Sequence, residues 1–77
     1  MTNNRERLTR VFSKVFGLNR IDETVSIATL DVWDSSAQIA LILELEDEFG
    51  IQVPNDDIIE MTSVPEILQF LSRNAGI

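Results

Sequence analysis

Three observations predict a small all-α bundle of three main helices plus one short helix, with a long first loop. The chain has 77 residues, enough to close one modest core and too few for a second. Apolar residues recur at intervals of three and four in three separate segments. Residues that start or stop helices stand at the ends of those segments. Hydrophobic residues make up 44% of the chain and aromatic residues only 6%, so the core is expected to be built from Leu, Ile and Val.

Leu8, Val11, Phe12, Val15 and Phe16 fall on one stripe of an amphipathic helix from Asn4 to Phe16. Asn3 or Asn4 can cap its start, and Gly17 can end it in a left-handed conformation. From Leu18 to Trp33 no period is sustained, and Ile21, Val25, Ile27 and Leu30 are scattered. A loop of that length needs a function or its own anchors, and these apolar residues are expected to be the anchors. Trp33 is expected to pack over the end of the next helix, with contact to a ligand or a partner as the other possibility.

The second helix is predicted to begin at Asp34-Ser35-Ser36 and run to Phe49, with Gly50 as its stop. Ile39, Ile42, Leu45 and Phe49 form its expected buried stripe, and Glu44, Asp47 and Glu48 its opposite, acidic side. Pro54 disfavours helix at Val53, so 51–54 is a connection. Asn55 is expected to cap a brief helical turn through Asp56, Asp57, Ile58 and Ile59. Ser63 and Glu66 form a capping box for the last helix, whose expected core face is Val64, Ile67, Leu68 and Leu71, with Arg73 near its negative end. The whole chain, 1–77, reads as one domain.

Composition excludes most enzyme classes. There is no cysteine and no histidine, hence no disulfide framework, thiol nucleophile, imidazole base or Cys/His metal site. The carboxylates lack calcium-loop spacing and the Glu-x-x-His pairs of a di-iron bundle, so no metal site is expected. No apolar run approaches the roughly 20 residues that span a bilayer, and the start MTNNRERLTR lacks a secretory apolar stretch, so a cytoplasmic protein without membrane insertion is expected. Five of the six basic residues lie at Arg5, Arg7, Arg10, Lys14 and Arg20, whereas Ile21 to Ser72 holds twelve carboxylates and no Lys or Arg. That surface repels nucleic acid and favours partners with basic patches.

Ser35 stands where the loop delivers a side chain to the positive end of a helix, a place that suits an attached phosphate. The plainer reading makes Ser35 or Asp34 an N-cap. With no His or Lys from Ile21 to Ser72, Ser35 has no local base, so a serine hydrolase is unsupported and any chemistry at Ser35 must come from another enzyme.

These residues carry a family resemblance. Asp34-Ser35, the apolar helix IALILELEDEFGI, then VPNDD and TSVPEILQFL, are similar to acyl carrier proteins from about Ile39 to Leu71, and less specifically over the first helix. Phe49 lies fourteen residues after Ser35, and that register makes Ser35, not Ser36, resemble the serine bearing phosphopantetheine, with Asp34 as the acid before it. The resemblance implies an acyl-carrier-like bundle with no catalytic activity and a covalent 4'-phosphopantetheine on Ser35. A phosphopantetheinyl transferase installs the group from coenzyme A with magnesium, and its thiol holds acyl groups as thioesters. The cargo would come from a loading ligase or transferase. It would pass to synthase enzymes of fatty-acid, polyketide or a related specialised biosynthesis.

Two features bear on partners. The resemblance implies that the second helix docks basic patches through Glu44, Glu46, Asp47, Glu48, Asp56 and Glu60, with Leu43 as an apolar contact. Like charges at Glu44/Glu48 and Glu44/Asp47 cost a few tenths of a kcal/mol per pair in an isolated helix, so local stability does not explain them. Ser36 stands where the family usually has Leu, Ala37 where an acid is common and Ala40 where Glu is common, which points to a specialised carrier and to altered contacts beside Ser35. The interior near Ile39, Ile42, Val53, Ile58 and Leu68 is a candidate shelter for an apolar chain. The rival readings are an unmodified acidic helical interaction module and an aminoacyl or peptidyl carrier. The latter commonly has a glycine pair before the serine, and 30–34 contains none. A monomer is the expected state.

Overall fold

The computed structural model describes residues 3–74 and contains four helices in that range: α1 (Asn4–Phe16), α2 (Ser35–Phe49), α3 (Asn55–Glu60) and α4 (Val64–Asn74). Helix α1 begins where Asn3, in extended conformation, accepts the Glu6 amide at 2.8 Å. It ends at Gly17, whose φ of 72° is open to glycine at little cost, with its amide donating to Ser13 O. Gly50 closes α2 in the same way at φ 63°.

The core is one cluster. Leu8, Val11 and Phe12 of α1 meet Leu41, Ile42 and Leu45 of α2, and Val53, Met61, Val64, Ile67, Phe70 and Leu71 complete it from the C-terminal half. Ile21 and Trp33 join from the loop. Phe12, Phe16 and Trp33 form an aromatic triangle with centroid separations of 5.4 to 5.6 Å, Trp33 standing nearly edge-on to Phe12.

The long loop is pinned as expected by Ile21, with Val25 and Leu30 half-buried, but Ile27 is exposed. It is also pinned by backbone bonds that sequence patterning does not show. Ile27 N donates to Thr62 O and Val64 N to Val25 O, forming an isolated antiparallel bridge of Ser26 with Ser63. A hydroxyl network around Ser26 and Thr29 folds the segment onto itself.

Four expectations require correction. Ile39 is 64% exposed, and the buried stripe of α2 is Gln38, Leu41, Ile42 and Leu45, with Phe49 half-buried. Asn55 does not cap α3: Pro54 occupies the cap position, and proline has no side-chain acceptor to offer. Ser63 accepts the Glu66 amide at 3.3 Å, but Glu66 Oε1 accepts the hydroxyls of Ser63 and Thr62 in place of the Ser63 amide. Phe70, not Leu68, is the fourth buried residue of α4.

With a single core of this size, truncating its largest fully buried side chain is expected to be severe. Phe12→Ala should cost about 3–5 kcal/mol, a large share of the roughly 5–15 kcal/mol available to a whole domain, and should lower the urea midpoint far more than Phe12→Leu. A second expectation concerns Asp22, whose Oδ1 accepts both the Thr24 hydroxyl and the Thr24 amide and whose pKa is thereby lowered from 3.8. Because the folded value is the depressed one, this contribution is present above the unfolded value and is lost as pH falls through the folded value. The Asp22 carboxyl should titrate below 3.8 by NMR, and Thr24→Ala should move it back up.

Candidate functional site

Ser35 occupies the first helical position of α2 and is exposed. The capping role falls to Asp34, which has extended backbone and accepts the Ala37 amide at 2.8 Å through Oδ1. The Ser35 hydroxyl is therefore left out of the cap. The first amides of α2 have no partners in a preceding helical turn, and the helix dipole adds positive potential at the same point. A phosphodiester on Ser35 would meet donors and favourable potential there. Below it, Ile39 and Leu43 follow at steps of four on the same face. They are 64% and 60% exposed. With Ile42, Val53, Ile58 and Asn55 they line an apolar cleft of about 200 Å³ between α2 and α3, rimmed by Glu46. Leu68, expected among the lining, is half-buried on α4 and does not contribute to the cleft.

An exposed serine that a neighbour has relieved of capping, set at a helix N-terminus above an apolar cleft, suits a tethered group that carries something apolar. The sequence pattern of the family described as "Phosphopantetheine attachment site" matches residues 6–71. The chain belongs to this family. It is a phosphopantetheine carrier, and its family carries groups for other enzymes without catalysing their reactions. Its cofactor is covalent phosphopantetheine. The chain is similar over 63 residues, at 29% identity, to a protein of Schizosaccharomyces pombe named as a mitochondrial acyl carrier protein, covering 82% of this chain and 56% of that one. It is similar over 43 residues, at 33% identity, to a protein of Thermosynechococcus vestitus named acyl carrier protein, covering 56% of this chain and 53% of that one. The chain spans about half the length of these curated relatives. Among the described residues no helix is long and apolar enough to cross a membrane.

The carboxylates of this carrier do not form one uniform surface. Glu48 is held by Arg7, whose Nε lies 3.1 Å from Oε2 and whose Nη2 donates to Glu48 O, while the guanidinium sits 4.3 Å from the Phe49 ring centroid. Glu44 lies 3.8 Å from Lys14 Nζ. Glu46 Oε2 accepts the Val53 amide at 2.9 Å. Asp47, Asp56 and Glu60 are exposed, as is Ser36 beside Ser35. Sequence reasoning placed Glu44 and Glu48 on a face opposite the core. The structure instead sets both against the basic side of α1, which accounts for a like-charge spacing that is unfavourable in α2 alone.

Sequence reasoning missed Gln38, the buried polar side chain of α2. Its signal was available: Gln38 precedes Leu41 and Leu45 by three and seven positions, so the period that buries those leucines buries it too. Trp33, read as a core cover, is 2% exposed and bonds Gln38 through its indole N–H.

The Arg7 contacts generate a prediction about stability. Arg7→Ala should cost about 1–3 kcal/mol in urea unfolding, since it removes charge-assisted bonds and a ring contact that is only partly solvated. Arg7→Lys should recover less than half of that loss, because a lysine cannot reproduce the two-pronged contact or the stacking.

Proposed function

We propose that residues 1–77 form a single acyl carrier domain that bears 4'-phosphopantetheine on Ser35 and holds acyl intermediates as thioesters for partner enzymes of fatty-acid, polyketide or a related specialised biosynthesis. The observation that supports this reading is the i, i+4, i+8 spacing of Ser35, Ile39 and Leu43 on one exposed face of α2, which puts Ser35 one turn before two residues that line the apolar cleft. Asp34 contributes by capping α2 and leaving the Ser35 hydroxyl exposed to an incoming transferase. The chain has no His or Lys from Ile21 to Ser72 and the Asp34 carboxylate is engaged in the cap, so in this proposal the phosphopantetheinyl transferase removes the hydroxyl proton.

The partners in this proposal are that transferase, a loading ligase or transferase, and synthase enzymes with basic patches. Ser36 and Leu43 provide the uncharged contacts beside the arm, and Glu44, Glu46, Asp47, Glu48, Asp56 and Glu60 the negative potential. Asp47, Asp56 and Glu60 are exposed and contribute most, because Lys14, the Val53 amide and Arg7 already engage the other three. An apolar acyl chain of moderate length fits the character of the cleft. The proposed state is a monomer acting in the cytoplasm. The mitochondrial name of one relative makes cell fractionation the deciding measurement for the compartment.

Incubation with coenzyme A, magnesium and a broad-specificity phosphopantetheinyl transferase, followed by intact mass, tests the central claim. The wild-type chain and Ser36→Ala should each gain one phosphopantetheine and Ser35→Ala none. Loss of the gain in Ser36→Ala alone would move the attachment site by one residue, and no gain in any chain would overturn Ser35 as an attachment site.

A further inference from the structure

Gln38 joins three parts of the molecule. Its Oε1 accepts the Trp33 indole N–H at 2.5 Å, and its Nε2 donates to the carbonyls of Ile58 and Met61, each at 3.0 Å. The partners fix the orientation of the amide, because an indole N–H can only donate and a carbonyl can only accept. All three bonds are satisfied in a buried position, where an apolar residue would otherwise be the ordinary occupant.

The segments tied in this way differ in how firmly they are held. Trp33 is locked between Phe12 and Phe16 and lies two residues before Ser35. Helix α3 has six residues, none of them buried, and no side-chain cap. A helix that short has little stability of its own. It nonetheless supplies Asn55 and Ile58 to one wall of the cleft, opposite Ile39, Ile42 and Leu43 of α2. The wall of the cleft that is easiest to displace is thus bonded, through one side chain, to the turn that presents Ser35.

We propose that Gln38 is a positioning residue that couples the α3 wall of the cleft to the Ser35 turn, so that a group entering the cleft and displacing α3 also shifts Trp33 and the turn. The identity of that group, an acyl chain on the arm, rests on the carrier reading above, whereas the tie itself exists in the unmodified protein. Such a link lets the attachment site differ between a carrier whose cargo lies in the cleft and one whose cargo has been withdrawn.

The test uses the full chain, labelled with nitrogen-15, as wild type, Gln38→Met and Trp33→Phe. Methionine keeps the length and apolar bulk of glutamine and removes all three bonds. In unmodified Gln38→Met, the amides of α3 and Met61 should exchange with solvent about tenfold faster than in wild type, while those of α4 change much less. Equal acceleration in every helix would show that Gln38 is only a core side chain and would overturn the proposal. Trp33→Phe, which cuts only the indole side of the tie, should accelerate α3 exchange less than Gln38→Met does, and acceleration there that spreads equally over α4 would mark a general loss of core packing and count against the proposal.

Chains loaded with a two-carbon or an eight-carbon acyl group supply the functional arm. In wild type the longer group should shift the α3 amides, the Trp33 indole resonance and the amides of 35–37 together. In Gln38→Met the α3 shifts should persist while those at Trp33 and 35–37 disappear. Undiminished shifts at Trp33 in that variant would overturn the coupling. If the wild type accepts no arm, the carrier reading fails, and the exchange comparison on unmodified protein still decides whether the tie exists.

Discussion

The burial of Trp33 is the constraint on which the Ser35 junction depends. Its indole lies against Phe12 and Phe16, and its N–H, which would be costly to leave unpaired in that setting, is taken by Gln38. Because Trp33 immediately precedes the N-cap Asp34, anchoring it also fixes where α2 begins. A shift of the helix start by one residue would break the Asp34 to Ala37 bond or unbury the indole. Ser35 is outside because Trp33 is inside.

The uneven distribution of charge along the chain has a structural use. The basic residues of the first helix and the carboxylates of the second are complementary sides of one contact, made by Arg7 with Glu48 and Lys14 with Glu44. The Arg7 pair is the stronger of the two, being partly screened from water and backed by Phe49, whereas the Lys14 pair is longer and more exposed. What reaches solvent from α2 is consequently less acidic than its sequence suggests. Beside Ser35 the exposed residues are Asp34, Ser36, Ile39, Ala40 and Leu43, and the exposed acids Asp47, Asp56 and Glu60 come later in the chain.

How much of this was legible in the sequence varied from one helix to the next. Both bounds of α1 could be read because its apolar stripe is narrow and Gly17 ends it. In α2 apolar residues occur at 39, 41, 42, 43 and 45, nearly all round the helix, and periodicity alone could not say which of them face inward. The arbiter is Gln38, whose bonds to α3 and Trp33 turn the helix so that Leu41 is buried and Ile39 exposed. Those bonds are tertiary and leave no local trace. The same holds for Glu44 and Glu48, whose partners lie far away in sequence, and for the cleft, which exists only once α3 is docked. The start of α2 at Asp34-Ser35 was legible because its cap signal is local.

The bridge between Ser26 and Ser63 has a consequence for the order of events during synthesis. It fastens the middle of the loop that delivers Ser35 to the residue that opens α4, far downstream in the chain. The Ile58 and Met61 carbonyls that complete the Gln38 tie are late arrivals as well. A nascent chain emerging from the ribosome can form α1 and α2 while its loop is still unfastened, since contacts distant in sequence must wait for both partners. The finished junction therefore requires the chain through Ser63, and any shorter stretch of nascent chain presents Ser35 on a loop that is not yet fastened.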